Sequence, residues 1–177
     1  MAKKQLFWQL YPLYLIMIIL SLAAVGLYAS SSVREFYLRQ TAENLEAQAR
    51  LAASHVSALE DLESMATLNP LYKNLAEKTG TRFTLILANG TVICDSEEDP
   101  ARMENHANRP EVLEAQEDRT GISTRHSFTL DKEMMYVAIP LEREGTVEGV
   151  FRVSIPVTAV HEALGTIYFK IIAGGLV

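Results

Sequence analysis

Four histidines (His55, His106, His126 and His161) and one cysteine (Cys94) are the residues of this 177-residue chain best suited to metal or nucleophilic chemistry. Their spacing supports neither. No two histidines stand four apart and no cysteine pair exists, so zinc-type ligand spacing is absent. A Gly-x-Ser-x-Gly elbow and a phosphate-cradling glycine loop are absent too. No catalytic residue is therefore assigned, although a triad can be assembled from distant parts of a chain. Binding chemistry is better supplied. Asn105, His106 and Arg109 fall within five residues, and Arg125 and Tyr136 follow on separate segments. Together they offer donors for an anionic or carboxylate-bearing ligand. In the structural alternative, Asn105 and Arg109 brace their own segment and Arg125 is solvated. Glu97, Glu98 and Asp99, with Glu104 nearby, offer oxygen ligands of the kind divalent cations take. A solvated acidic loop is the preferred reading there, and no metal site is assigned.

The elements that must position these residues can be read from pattern. Asn69-Pro70 starts a short helix as N-cap and first-turn proline, and Thr79-Gly80 stops it. Arg82 to Ala88 is a strand with Phe83, Leu85 and Leu87 on one face. Asn89-Gly90 predicts a type I′ hairpin turn, and Thr91 to Asp95 returns. Asp99 to Gln116 reads as broken helix, interrupted at Arg109-Pro110. Gly121 to Phe128, Met134 to Leu141 and Val147 to Ile155 read as three further strands, the last two with a turn at Glu144-Gly145. Met135, Val137, Ile139 and Leu141 alternate inward, as do Val147, Gly149, Phe151, Val153 and Ile155. The fold class is α+β: a five-stranded antiparallel sheet with helices packed on it.

The ends of the chain have a different character. No charge occurs between Lys4 and Arg34, and residues 7–28 form an apolar run edged by Trp8, Tyr11, Tyr14 and Tyr28. As a helix it would extend about 33 Å, enough to cross a bilayer core. A cleaved signal peptide is the alternative, with Lys3 and Lys4 as basic region and Ala29-Ser30-Ser31 as cleavage site. The run exceeds the usual apolar core of about 7–15 residues, so an uncleaved anchor is preferred. Basic residues tie across the segment, and residues 1–6 are placed in the cytoplasm on the N-terminal amine. Beyond the anchor, Leu38, Ala42, Leu45, Ala49, Ala52, Val56 and Leu59 repeat at heptad spacing on a helix read as 30–66. They predict a dimer seam, unless the stripe covers the domain's own sheet. An exit helix is expected over 158–166. The apolar stretch 167–177, with Lys170 inside it, is expected to begin a second membrane helix.

From Arg34 to Glu162 the chain holds 22 acids against 13 bases, a net charge of −9. That excludes a nucleic-acid partner, since phosphates would be repelled. The same stretch carries a set of distinctive motifs. They are Cys94-Asp95-Ser96, Met103-Glu104-Asn105-His106, Arg109-Pro110-Glu111, Arg125-His126-Ser127, Met135 through Leu141, and Gly149-Val150-Phe151-Arg152-Val153-Ser154-Ile155-Pro156. This resembles the extracytoplasmic sensor region of phosphate-regulon-type sensor histidine kinases, over about 65 residues from Val92 to Pro156. The resemblance implies a PAS-like, Cache-type sheet of order 2-1-5-4-3, in a sensor domain spanning 29–166 with its sheet domain at 69–156. In such folds the helical segment facing the sheet walls the ligand cavity, which is where Asn105, His106 and Arg109 lie. The resemblance further implies a periplasmic or outer-surface domain on the bacterial cytoplasmic membrane, working as a homodimer. It receives a small-molecule or protein stimulus and controls autophosphorylation. ATP, Mg and a response regulator belong to cytoplasmic kinase parts that this chain does not contain, and no cofactor is expected in the chain itself. A chemoreceptor or a cyclic-dinucleotide enzyme could carry the same input. A membrane-tethered hydrolase or chaperone is the remaining class. His161-Glu162-Ala163-Leu164-Gly165-Thr166 is superficially like a phosphoacceptor box but lacks its basic residue and proline. An amphipathic exit helix is the expected reading.

Overall fold

The computed structural model describes residues 2–57, 69–127, 130–157 and 165. The chain divides into two units, Met1–Arg39 and Gln40–Val177. The first is helical and is the leading part of α1 (Ala2–Ser57). Its apolar window has a mean hydropathy of 2.3, is buried by none of the described residues, and is long enough to cross a membrane. A helix that is apolar all round and left uncovered suits lipid rather than water, so it suggests membrane anchoring.

The second unit contains the sheet. After the closing turns of α1 come α2 (Asn69–Thr79), β1 (Arg82–Leu87) and β2 (Val92–Asp95). A 3-10 turn at Pro100–Arg102 leads to α3 (Pro110–Gln116), then β3 (Gly121–Ser127), β4 (Lys132–Arg143) and β5 (Thr146–Pro156). The strands are antiparallel and ordered β2-β1-β5-β4-β3, as the resemblance implied. Gly80 stops α2 in the left-handed conformation, φ +65°, its N–H donating to the Ala76 carbonyl at 2.8 Å. Glu144 and Gly145 both have positive φ, which makes the two-residue β4–β5 turn the type I′ one.

The β1–β2 turn departs from the sequence expectation. Only Gly90 is left-handed there, at φ +84°, whereas a type I′ turn needs Asn89 to be so as well. The Leu87 N–H donates to Thr91 O and the Gly90 N–H to Leu87 O. The loop is thus one residue longer, with glycine at its last, left-handed position. Asn89 contributes through its side chain instead, accepting from the Thr91 N–H at 3.0 Å.

Both faces of the sheet are covered. One carries Phe83, Leu85, Phe151 and Val153, all at most 2% exposed. Tyr72 of α2 sits against it, 5.8 Å from Phe83 and 5.3 Å from Phe151 between ring centroids. The Tyr72 hydroxyl donates to Ala52 O of α1 at 3.2 Å. The opposite face is apolar only at one end, where Ile86, Ala138 and Val150 pack with Val112 and Ala115 of α3.

The expected dimer seam is corrected here. Ala42, Leu45, Ala49, Ala52 and Val56 are each 5% exposed or less within a single chain, so they cover the protein's own domain. Leu38 is half-buried, and Leu59 lies outside the described residues. The physical reason is size: alanines on the stripe let the helix settle closely on its own sheet domain. Polar contacts then tie it down, Thr81 to Gln48 at 3.0 Å and Thr120 to Glu46 at 3.0 Å. The remainder of the helix read as 30–66, the exit helix with His161, and the 167–177 stretch also fall outside the described residues, Gly165 apart.

Candidate functional site

The polar end of the second sheet face is the candidate site. Strand alternation puts Arg82 and Thr84 of β1, Arg152 and Ser154 of β5, Tyr136 of β4 and Arg125 of β3 on one side. On an open antiparallel sheet such residues would face water. Here the segment from Glu98 to Arg109 lies over them and borders a half-open cavity of about 440 Å³. Arg82, Arg125, Ser127, Tyr136 and Arg152 line it from the sheet, and Arg102, Met103, His106 and Arg109 from the covering segment, with Glu98 and Glu104.

The covering segment is held by specific bonds. Asp99 caps the 3-10 turn, accepting from the Ala101 N–H at 3.1 Å. The His106 N–H donates to Gly90 O at 2.8 Å, and Asn105 Nδ2 donates to Asn89 O at 2.8 Å. A Cβ on Gly90 would stand 2.3 Å from Asn105 Oδ1, so glycine is needed there for this approach as well as for φ. The β1–β2 hairpin tip is thus the clasp of the cavity wall.

The floor is an arginine network. Asp95 accepts from Arg82 Nε at 3.0 and 3.1 Å, from Thr84 Oγ1 at 2.8 Å and from the Glu97 and Glu98 N–H groups. Arg82 spends its Nε donor on that pairing, and its Nη1 stands 3.7 Å from Glu97. Arg152, 2% exposed, donates to Glu111 Oε1 at 3.3 Å and to Thr84 Oγ1 at 3.3 Å. Arg125 donates to the same Glu111 oxygen at 3.0 Å. The two guanidiniums also lie 4.1 and 5.1 Å from the Tyr136 ring centroid. Burial opposes ionisation of Glu111, but the bond from Arg125 and the charge of Arg152 outweigh it and lower its pKa.

Positive charge is left over. Arg125 and Arg152 share one carboxylate, and the Nε of each is buried without a hydrogen-bond partner. Among the described residues Arg109 pairs with Glu104 alone, at 3.9 Å, and that carboxylate is 89% exposed. His106 is 7% exposed with Nδ1 unpartnered. Burial, then the charges of Arg152 and Arg109, lower its pKa to about 4, so the ring is neutral near pH 7. A half-open cavity with unused guanidinium donors on two walls fits an anion.

His106, Arg109, Arg125 and Tyr136 of the sequence-derived candidates therefore come together. Asn105 does not line the cavity; its side chain is used on the hairpin. Arg109 occupies the N-cap position of α3, yet its side chain makes no capping bond. Sequence reasoning missed Arg82, Arg102 and Arg152. The signal available was the alternation itself, since Arg82 and Arg152 fall on the same face as Tyr136 once the register is known. Among the acidic run, Asp99 caps the turn and Glu97 approaches Arg82 at 3.7 Å.

This architecture has a known counterpart: the model of the family described as Single Cache-like matches residues 35–156. The chain belongs to the Single Cache-like family. Solved structures share the Cache fold. The ligand-binding domain of the Campylobacter jejuni chemoreceptor Tlp3 in complex with L-valine matches with TM-score 0.57 and 19% identity, over 76% of this chain and 58% of that one. The sensor domain of the V. cholerae histidine kinase DctB matches at 0.52 and 16%, over 71% and 57%. The E. coli DcuS sensor domain matches at 0.54 and 11%, over 71% and 98%. This chain thus spans under two thirds of the Tlp3 and DctB domains. At these identities the likeness is one of fold. No curated protein matches the sequence. The Cache domain is a sensing module found on both chemoreceptors and histidine kinases.

Proposed function

We propose that this chain is the input module of a phosphate-regulon-type sensor histidine kinase, anchored in the bacterial cytoplasmic membrane, and that its Cache domain detects a small anion outside the cell. The observation that carries the anion reading is the cavity, where Arg102, Arg109, Arg125 and Arg152 converge in a chain of net charge −6. The kinase assignment is supported by the motifs between Val92 and Pro156. The parent protein would supply the ATP- and Mg-dependent kinase parts and the contact with a response regulator. A chemoreceptor output is the second reading, supported by the fold shared with Tlp3. A homodimer would use a face of α1 other than the buried stripe, and Leu51, 72% exposed, marks that face.

The test is a thermal melt of the chain in lipid nanodiscs, read by labelling of Cys94, the one cysteine, which is buried. Inorganic phosphate, succinate and citrate are compared with neutral and zwitterionic solutes. Anions are expected to raise the midpoint, and Arg109→Ala and Arg125→Ala to remove that rise. If no anion at millimolar concentration moves the midpoint, the anion reading fails. Autophosphorylation of the full-length protein with radiolabelled ATP separates the kinase from the chemoreceptor output.

A further inference from the structure

Glu111 is fully buried on the first turn of α3, the helix that packs on the apolar end of the same sheet face. Its Oε1 takes both Arg125, at 3.0 Å, and Arg152, at 3.3 Å, while Oε2 has no partner. Guanidinium and carboxylate pair best through two parallel bonds. Here one oxygen is divided between two forks, and the Nε of each arginine is left over. The same two guanidiniums line the cavity. An internal carboxylate therefore occupies part of the donor set that an anionic ligand would use.

The backbone of Glu111 is pinned to β3. A Cβ on Gly121 would stand 2.0 Å from Glu111 O and 2.7 Å from its carbonyl carbon, which is why glycine is required there. The residue before Gly121 is Thr120, whose hydroxyl donates to Glu46 Oε1 at 3.0 Å and receives a bond from Arg50 Nη2 at 3.4 Å. Glu46 and Arg50 are on α1, and they bond each other at 2.7 Å. A contiguous chain of contacts thus runs from the cavity arginines through Glu111, Gly121 and Thr120 to α1. Contiguity alone is no proof of coupling; the coupling needs an element with two arrangements that both ends bias. The divided Glu111 contact supplies one.

We infer that Glu111 is a built-in counter-anion that the ligand displaces from Arg125 and Arg152, and that its release is read on α1 through Thr120. The inference rests on the anion-sensing reading and adds the switch to it. In the empty site the carboxylate holds α3 against the sheet. An incoming anion takes the Arg125 and Arg152 donors, the carboxylate loses its partners, and the first turn of α3 shifts with it. Because Gly121 allows no slack, Thr120 moves too and its bonds to Glu46 and Arg50 change. The ligand's differential affinity for the two states is the exchange of one carboxylate for another anion on the same arginines.

The experiment measures phosphate and succinate binding by calorimetry, using the chain in nanodiscs. Glu111→Gln removes the competing charge, and at least tenfold tighter binding of the anion is expected. Glu111→Asp keeps the buried charge but shortens its reach, and an intermediate gain is expected. That variant serves if Glu111→Gln does not fold. Hydrogen exchange on the unmodified protein supplies a readout needing no variant. Anion binding is expected to change protection at residues 111–116 and, together with them, at residues 44–52. Thr120→Val should abolish the change on α1 and keep the change on α3. Anion binding to the unmodified protein, with Glu111 variants binding no more tightly, overturns the switch and leaves anion sensing intact. Binding without altered protection on α3 overturns it too. Absence of anion binding to every form overturns both.

Discussion

Replacing Gly121 by alanine probes the close approach of β3 to the Glu111 backbone. The added methyl would lie 2.0 Å from Glu111 O, 2.7 Å from its carbonyl carbon and 2.9 Å from its Cα. All three are backbone atoms, so no side chain can swing away. A carbon needs about 3.3 Å from a carbonyl oxygen, so α3 must retreat by more than ~1 Å. Two costs follow. Val112 and Ala115, both 0% exposed, lift from Ile86, Ala138 and Val150. Overpacking of this kind costs about 1–3 kcal/mol. The Glu111–Arg125 contact, at 3.0 Å, is also stretched, and outright loss of one partner of a buried pair costs about 3–5 kcal/mol. Partial loss of each gives an expected destabilisation of about 3 kcal/mol. Cys94 is the reporter. It is 1% exposed, and burial followed by the charge of Asp95 pushes its pKa up to about 11, so the folded thiol is unreactive. Pulse labelling across a urea series, on the chain in nanodiscs, gives the midpoint and slope. Thr124→Ala, at an exposed position of the same strand, is the control and should stay within about 0.5 kcal/mol of the unmodified protein. A Gly121→Ala midpoint as close to wild type as the control's would refute the close packing of α3 on β3.

Two other expectations follow from the same cavity. His106 has a folded pKa of about 4 against an ordinary 6.5, so between those values the unfolded chain binds a proton that the folded one does not. Its contribution is present above pH 6.5 and is lost as pH falls toward 4, by at most about 3 kcal/mol; the same labelling assay should show His106→Gln flattening that acid limb, and an unchanged limb refutes the assignment. Asp95→Asn weakens Arg82, Thr84 and two backbone N–H contacts at once, with an expected loss of about 3–5 kcal/mol and an earlier urea midpoint.

Much of the fold was legible because its signals are local. Asn69-Pro70 and Gly80 bound α2, Glu144-Gly145 turns the chain, and the strands β4 and β5 are read directly from period-two alternation, although both of their faces prove to be covered. The apolar run before Arg34 is equally plain, because crossing a membrane depends on length and composition alone. The strand order came from resemblance rather than from pattern. What tertiary structure decided was which faces are covered, and by what. The heptad stripe from Ala42 to Val56 has the same periodicity whether it meets a second copy or its own domain, and only packing assigned it to the domain. Arg82, Thr84 and Arg152 occupy alternate strand positions that a sequence reading gives to solvent. They became a cavity floor because a segment distant in sequence, residues 98–109, clasped to Gly90, lies over them. The sequence by itself determined the elements and the membrane-type helix, since each is set by neighbours within a few residues. The arginine-lined cavity, and the Glu111 carboxylate lodged among its arginines, exist only where distant segments are brought into register.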